Sequence, residues 1–129
     1  MASTSASIQA LVVDDDTMIR KIHCKVLKKA GINTQEAVNG KEAVDLCSSG
    51  AVFDVILMDF AMPIMNGPEA TRILREMKVA SKIIGATGQS RAEEIQEFKD
   101  AGLDECLEKP LTLEKISSII GLRSRTQVL

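Results

Sequence analysis

The sequence predicts an α/β fold, in which a single doubly wound domain contains a five-stranded parallel sheet with the strand order 2-1-3-4-5. Two observations predict this fold. Short apolar runs alternate five times with segments whose apolar residues recur at helical spacing, such as Ala70, Ile73, Leu74 and Met77. One run, VILM at 55–58, is apolar throughout, as expected for a parallel strand covered by helices on both faces. Right-handed crossovers then connect the five βα units.

The strands and the first helix can be placed along the chain from their patterns. The predicted strands, in order, are QALVV, TQEAV, DVILM, KIIGA and ECLEK. The first helix is predicted to begin near Thr17, with Asp16 as its N-cap, and the spacing of Ile19, Ile22 and Val26 predicts its buried face. In this arrangement, known as flavodoxin-like, the second strand lies at an edge and ligands bind beyond the carboxyl ends of strands 1 and 3.

Length and composition indicate one domain and exclude several functions. A chain of 129 residues, 45% of them hydrophobic, can bury one core. We predict a flexible segment at 1–7, a domain at 8–121 and a short tail at 122–129. The net charge of -2 predicts no binding to nucleic acid or to anionic membranes. Because no signal peptide or membrane-spanning run is apparent, we expect a soluble, unsecreted, cytoplasmic protein, with the nucleus as a second compartment.

Polar residues follow four of the five predicted strands, at the edge of the sheet where ligands bind. They are Asp14, Asp15 and Asp16 after the first strand, Asp59 after the third, Thr87 after the fourth and Lys109 after the fifth. Ionised carboxylates around one point repel each other by roughly 4 kcal/mol per close pair at an effective dielectric constant near 20, so they require a cation. Oxygen ligands without His or Cys favour Mg²⁺, with Mn²⁺ as the alternative.

A metal ion, a lysine and a hydroxyl that converge on one carboxylate are suited to phosphoryl transfer. Asp59 is the predicted nucleophile, which would form an acyl phosphate. Lys109 and Thr87 would hold the phosphoryl oxygens, while Asp15 and Asp14 would hold the metal. Taken alone, each of these residues is better explained as an ordinary turn or surface residue. The prediction of a phosphoryl-transfer site therefore depends on their joint arrangement.

Four segments resemble the receiver domains of two-component response regulators. They are VVDDD at 12–16, LMDFAMPIMNG at 57–67, GATG at 85–88 and EKP at 108–110. The resemblance covers residues 8–121 and assigns a role to each matching position. The implied roles are phosphoacceptor for Asp59, acid pair for Asp14 and Asp15, phosphoryl-sensing pair for Thr87 and Lys109, and metal-binding carbonyl for Ala61. It also implies a cis peptide bond between Lys109 and Pro110.

The whole chain resembles the short plant response regulators often called type C. This resemblance implies a phosphate shuttle or sink that takes a phosphoryl group from a histidine phosphotransfer protein, with a sensor histidine kinase further upstream, in cytokinin signalling. It also implies Mg²⁺ dependence, and we expect a monomer.

Receivers usually carry Tyr or Phe three residues before the lysine of the EKP segment, where this chain has Cys106. We therefore do not expect the common aromatic switch. Ala61 and Gln89 are expected to control the access of water to the acyl phosphate.

Two alternative functions remain open at the level of sequence. A hydrolase of the haloacid dehalogenase type also uses a strand-end aspartate and Mg²⁺. Asp14 and Asp16 fit its motif, but Met18 does not, and the chain has no room for a cap domain. The second alternative is an interaction module with a receiver-like fold that no longer takes phosphate.

Overall fold

The computed structural model describes residues 7–88 and 91–120. Of the predicted terminal segments, 122–129 and all of 1–7 except Ser7 lie outside the described residues. Strands and helices alternate throughout the described chain. In order they are β1 (Gln9–Val13), α1 (Thr17–Lys29), β2 (Asn33–Ala37), α2 (Gly40–Ser48), β3 (Val55–Asp59), α3 (Gly67–Glu76), β4 (Lys82–Thr87), α4 (Ala92–Asp100), β5 (Glu105–Glu108) and α5 (Leu113–Ile120).

The strands form one sheet in the order β2-β1-β3-β4-β5, and every neighbouring pair is parallel. The predicted fold is therefore confirmed. The register aligns Val13 at the end of β1 with Ala37 of β2 and Met58 of β3. Because the carboxyl ends of the strands lie level with each other, the residues that follow β1 and β3 emerge side by side.

The two faces of the sheet bury separate apolar clusters, and neighbouring residues of a strand contribute to opposite clusters. Leu11 and Met58 belong to the first cluster, which includes Phe98 of α4. Val12 and Leu57 belong to the second cluster, which packs under α1 and α5. All five residues of β3 are buried, as predicted from the run VILM. β3 is therefore the central strand, and its last residue is held rigidly from both sides.

Helix α1 begins as predicted but buries a different face. The Asp16 side chain accepts a hydrogen bond of 3.1 Å from the backbone N–H of Ile19 and caps the helix. The prediction that Ile22 lies in the core is wrong, because its side chain is 40% exposed. The buried residues of α1 are Arg20, His23, Cys24 and Leu27. The polar head groups of Arg20 and His23 have hydrogen-bond partners inside the protein, and this permits their burial.

No helix within the described part of the chain has the length and apolar character required to cross a membrane.

Candidate active site at the carboxyl edge of the sheet

The polar residues predicted from the strand ends, with the exception of Thr87, line a shared cavity of about 450 Å³ at the carboxyl edge of the sheet. Its walls include Asp14 and Asp15 from the loop after β1, Asp59 from the end of β3, and Lys109 from the loop after β5. Ala61, in the loop after β3, lines the same cavity. The structure therefore brings together residues that are up to 95 positions apart in the chain.

Three carboxylates approach each other within this cavity. Asp14, Asp15 and Asp59 each offer one carboxylate oxygen, and these oxygens lie within 4.8 Å of one another. Asp14 and Asp59 are buried, with 1% and 5% of their surface exposed, while Asp15 is exposed to solvent. The cluster is thus fixed at its base and open on the Asp15 side, where a ligand can enter.

Lys109 provides the positive charge that faces the buried acids. Its Nζ lies 2.9 Å from Oδ1 of Asp59 and 3.2 Å from Oδ2 of Asp14. Its backbone N–H donates a hydrogen bond of 2.6 Å to the carbonyl oxygen of Thr87, which anchors the start of the loop to β4. The peptide bond between Lys109 and Pro110 is cis, as the resemblance implied.

Asp59 is held by its neighbours through one carboxylate oxygen. Its Oδ1 accepts a hydrogen bond of 3.0 Å from the backbone N–H of Phe60 in addition to the contact with Lys109. Within residues 7–88 and 91–120, no group donates a hydrogen bond to Oδ2. The carboxylate is therefore oriented by Oδ1, while Oδ2 is available to an incoming group.

Burial raises the pKa of Asp59 from 3.8 to about 6. The hydrogen bond from Lys109 acts in the opposite direction, and the negative charges of Asp14 and Asp15 add to the increase. Burial lowers the pKa of Lys109, but its contacts with Asp59 and Asp14 outweigh this, so the net shift is upward. The ammonium of Lys109 therefore remains charged. Its effect on the pKa of Asp59 is nevertheless smaller than the combined effect of burial and the two neighbouring acids.

The donor set of the cavity fits a hard divalent cation. Three carboxylates facing one ammonium leave an excess of negative charge, and all of the acidic ligand atoms are oxygens. Asp14 already accepts hydrogen bonds from the Asp16 backbone N–H and from Lys109, which fixes its orientation. Asp15 lies on the open side, where it could bind a cation that keeps part of its water shell.

Thr87 lies beside this cavity without lining it. The residue is buried, and it lines a neighbouring cavity of about 600 Å³ together with Cys106. Burial raises the pKa of Cys106, and the nearby Thr87 side chain opposes that increase. Gly88, the residue after Thr87, lines both cavities. Gln89, which was expected to influence water access, lies outside the described residues.

Sequence reasoning missed three residues that the structure places in or next to the site. Phe60 and Glu94 line the carboxylate cavity. Arg20 donates a hydrogen bond of 2.8 Å from Nη1 to the backbone carbonyl of Asp14. The sequence does contain a signal for Arg20, because it lies four and seven residues before Cys24 and Leu27 and therefore shares their helical face.

A parallel (βα)₅ sheet with an acid cluster and a lysine at its carboxyl edge defines the class of receiver domains. The chain belongs to this family, since the model of the response regulator receiver domain matches residues 10–121. It is 50% identical over 115 residues to two-component response regulator 24 of Arabidopsis thaliana, covering 89% of this chain and 83% of the relative. It is 40% identical to two-component response regulator ORR42 of Oryza sativa subsp. japonica, in a match that covers 89% of this chain and 86% of that relative.

Solved structures agree with this assignment. The chain resembles the receiver domain of the sensor histidine kinase PA1611 from Pseudomonas aeruginosa PAO1, with a TM-score of 0.81 and 25% sequence identity. The match covers 89% of this chain and 95% of that domain, whose structure was described with a magnesium ion coordinated in the active site cleft. The fold and the family are therefore those of a receiver domain similar to plant response regulators.

Proposed function

We propose that this protein accepts a phosphoryl group on Asp59 from the phosphohistidine of a histidine phosphotransfer protein and acts as a shuttle or sink in a phosphorelay. One observation carries the proposal. The buried Asp59 carboxylate contacts Lys109 at 2.9 Å through Oδ1, while no described group donates to Oδ2. Two further carboxylates lie within 4.8 Å, so a nucleophile, a cation and metal ligands converge on one point.

The transfer step follows from this arrangement. Oδ2 of Asp59 attacks the phosphorus atom, a P–O bond forms, and the P–N bond of the phosphohistidine breaks as the departing imidazole nitrogen takes up a proton from solvent water. Lys109 can follow the phosphoryl oxygens because its ammonium already lies against the acceptor carboxylate. Thr87 would contribute its hydroxyl by turning toward the phosphoryl oxygens. Water then attacks the acyl phosphate to release inorganic phosphate and regenerate Asp59, which makes the domain a sink.

The proposal includes Mg²⁺, or Mn²⁺ in its place, held by Asp14, Asp15, Asp59 and the carbonyl oxygen of Ala61. When bound, the metal would neutralise charge on the phosphoryl oxygens. The oxygen donor set supports a hard cation at this position. The magnesium ion described in the cleft of the Pseudomonas receiver supports the same choice.

The distribution of exposed apolar side chains supports a protein as the phosphodonor. Among the described residues, six large hydrophobic side chains are exposed, and five of them lie in α1 or in the segments that follow strands at the carboxyl edge. These five are Met18, Ile22, Val38, Ile64 and Leu113. A small-molecule donor requires no such surface, whereas a docking protein can bury it. A role in cytokinin signalling, downstream of a sensor histidine kinase, rests on the similarity to plant response regulators.

The decisive test follows a labelled phosphoryl group. A histidine phosphotransfer protein carrying a radiolabelled phosphohistidine is mixed with the wild type, with Asp59→Asn, or with the control Asp100→Asn, whose side chain is exposed on α4. We expect the label to leave the donor in the presence of the wild type and the control, in Mg²⁺ but not in excess chelator. Loss of label from the donor at the same rate with Asp59→Asn would refute the proposal.

The two alternatives predict different results in this assay. An interaction module would bind the donor without removing its label. A hydrolase of the haloacid dehalogenase type would turn over small phosphate esters and would use Asp16 as its second acid. Asp16 instead caps α1 through its side chain, which argues against the hydrolase.

A further inference from the structure

The buried face of α1 carries two polar side chains that reach the two sides of the acid cavity. Arg20 is 8% exposed and His23 is 1% exposed, and both lie on the stripe that faces the sheet. The guanidinium of Arg20 contacts the loop after β1, and the imidazole of His23 contacts the loop after β5. One helix therefore touches the loop of the acid pair and the loop of the lysine.

Arg20 fixes the peptide group that joins the two acids. Its Nη1 donates a hydrogen bond of 2.8 Å to the carbonyl oxygen of Asp14, which belongs to the peptide between Asp14 and Asp15. Its Nε donates to Oε1 of Glu36 at 2.7 Å, so the guanidinium is itself anchored to β2. The backbone N–H of Asp14 donates to the carbonyl of Ala37 at 3.1 Å. Asp14 is thus held on both sides, and rotation of the following peptide would break the contact with Arg20.

His23 anchors the loop that carries the lysine. Its Nε2 accepts a hydrogen bond of 3.1 Å from the backbone N–H of Leu111, two residues beyond Lys109. Leu111 is 1% exposed, so this contact lies in the dry interior between α1 and the loop. Burial lowers the pKa of His23, although the charge of Asp14 opposes this, and the ring can therefore serve as an acceptor at neutral pH.

We propose that Arg20 and His23 are positioning residues that act on different parts of the site: Arg20 sets the geometry of the metal-binding acids, and His23 sets the position of Lys109. This inference rests on the proposed function. A purely structural role for either residue would alter the free energy of unfolding but would leave the folded protein with normal metal affinity and normal phosphorylation. The two roles therefore predict separable defects.

The role of Arg20 is tested by measuring the Mg²⁺ affinity of each variant from amide chemical shifts. Circular dichroism confirms that each variant is folded under the same conditions. Outer-shell groups typically change metal affinity by about 10–100-fold, so we expect Arg20→Met to raise the Kd by at least about 10-fold. Arg20→Lys, which keeps the charge but cannot contact both partners in the same way, should fall between Arg20→Met and the wild type. The matched control is Lys21→Met, because Lys21 binds the same Glu36 at 2.9 Å from the exposed side and does not contact Asp14.

The role of His23 is tested by measuring the rate at which each variant is phosphorylated by acetyl phosphate at saturating Mg²⁺. We expect His23→Leu, which has no acceptor, to keep its Mg²⁺ affinity within about 2-fold and to be phosphorylated about 10-fold more slowly, as for other outer-shell losses. His23→Gln offers an acceptor oxygen and should recover part of the rate. Cys24→Ala is the control for destabilisation, since Cys24 lies on the same buried face without reaching the site.

The outcomes separate this inference from the proposed function. If Arg20→Met and Arg20→Lys bind Mg²⁺ as tightly as Lys21→Met, or if His23→Leu and His23→Gln are phosphorylated at the rate of Cys24→Ala, the positioning roles are wrong. If Arg20→Met fails to fold, the Mg²⁺ affinity of Arg20→Lys is compared with that of Lys21→Met instead. If His23→Leu fails to fold, the phosphorylation rate of His23→Gln is compared with that of Cys24→Ala. A wild type that neither binds Mg²⁺ nor becomes phosphorylated would instead overturn the proposed function.

Discussion

The ammonium of Lys109 lies 2.9 Å from Oδ1 of Asp59, although 50 residues separate the two in sequence. Lys109 follows β5 and Asp59 ends β3, so the contact spans β4. The pair connects the proposed nucleophile to the group that would receive the phosphoryl oxygens. It does not fully stabilise the carboxylate, because burial raises the pKa of Asp59 to about 6. The energetic penalty of an ionised Asp59 is therefore a measurable property of the site.

The first prediction concerns the stability of Asp59→Asn in the absence of metal. The pKa of Asp59 is about 6 in the folded state against 3.8 for the unfolded chain, so ionisation opposes folding above pH 6. We expect Asp59→Asn to be more stable than the wild type at pH 8, by on the order of 1–3 kcal/mol. Urea denaturation at fixed pH measures the difference.

The pH dependence of the same experiment has a definite sign. Between about pH 6 and pH 4 the folded wild type takes up a proton that the unfolded chain does not bind, so its stability rises relative to Asp59→Asn as the pH falls. The difference in the free energy of unfolding between Asp59→Asn and the wild type should therefore decrease as the pH falls from about 6 to about 4. Asp100→Asn, on the exposed side of α4, should show no such trend. A wild type more stable than Asp59→Asn at pH 8 would contradict the electrostatic account.

The second prediction concerns stabilisation by Mg²⁺. A ligand that binds the folded state alone adds about 2.7 kcal/mol of stability at 100 times its Kd. We expect Mg²⁺ to increase the urea midpoint of the wild type and to have little effect on Asp15→Asn, which removes the exposed carboxylate of the cluster. Asp16→Asn is the neighbouring control, because asparagine also caps helices and Asp16 serves as the cap of α1. Equal Mg²⁺ responses of Asp15→Asn and the wild type would exclude Asp15 as a ligand.

The third prediction concerns Gly67, at the start of α3. Its backbone N–H donates a 2.8 Å hydrogen bond to the carbonyl of Phe60, and a Cβ at this position would overlap the backbone carbonyl oxygen of Asp59. We expect Gly67→Ala to lower the free energy of unfolding by roughly 1–3 kcal/mol, as for other overpacked sites. Gly88→Ala should be nearly neutral, since its Cβ would meet nothing within 4 Å. Chemical denaturation of both variants checks this, and equal stabilities would contradict it.

The fourth prediction concerns the contact between Thr87 and Cys106. Burial raises the pKa of the Cys106 thiol, and the Thr87 side chain opposes this increase. Thr87→Val should therefore raise the thiol pKa further and slow alkylation of Cys106 by iodoacetamide at pH 8. Beryllofluoride on Asp59 should slow the same reaction in the wild type if Thr87 turns toward the phosphoryl position. Cys47 serves as the internal control in peptide mass spectrometry. Faster alkylation of Cys106 in Thr87→Val would show that Thr87 does not lower the pKa of this thiol.

The sequence predicted the fold and much of the candidate site because the relevant signals are local. The uniform apolar run of β3 indicated a strand buried on both faces, and the structure confirms this. Strand ends in a parallel sheet must share one edge, so the positions of Asp14, Asp59 and Lys109 after their strands were enough to predict that they meet. This inference required no knowledge of side-chain conformations.

The features that the sequence did not reveal depend on tertiary partners. Ile22 was predicted to be buried from its helical spacing with Ile19 and Val26, yet Arg20 and His23 occupy the inner face of α1. Burial of a guanidinium and an imidazole is favourable only when these groups have hydrogen-bond partners. Arg20 finds them in the Asp14 carbonyl and in Glu36 of β2, and His23 finds its partner in the backbone N–H of Leu111, 88 residues away. The shared cavity of Thr87 and Cys106 likewise depends on the packing of β4 against β5.

The central claim is that Asp59 itself becomes the acyl phosphate. The most direct measurement is to phosphorylate the protein from a phosphohistidine donor in Mg²⁺, reduce the product with borohydride, and locate the modified residue by peptide mass spectrometry. The reduction converts an aspartyl phosphate to homoserine, so the account predicts homoserine at position 59 in the donor-treated sample and aspartate in the untreated one. Unmodified aspartate at position 59, with homoserine or stable phosphate at another residue, would contradict it.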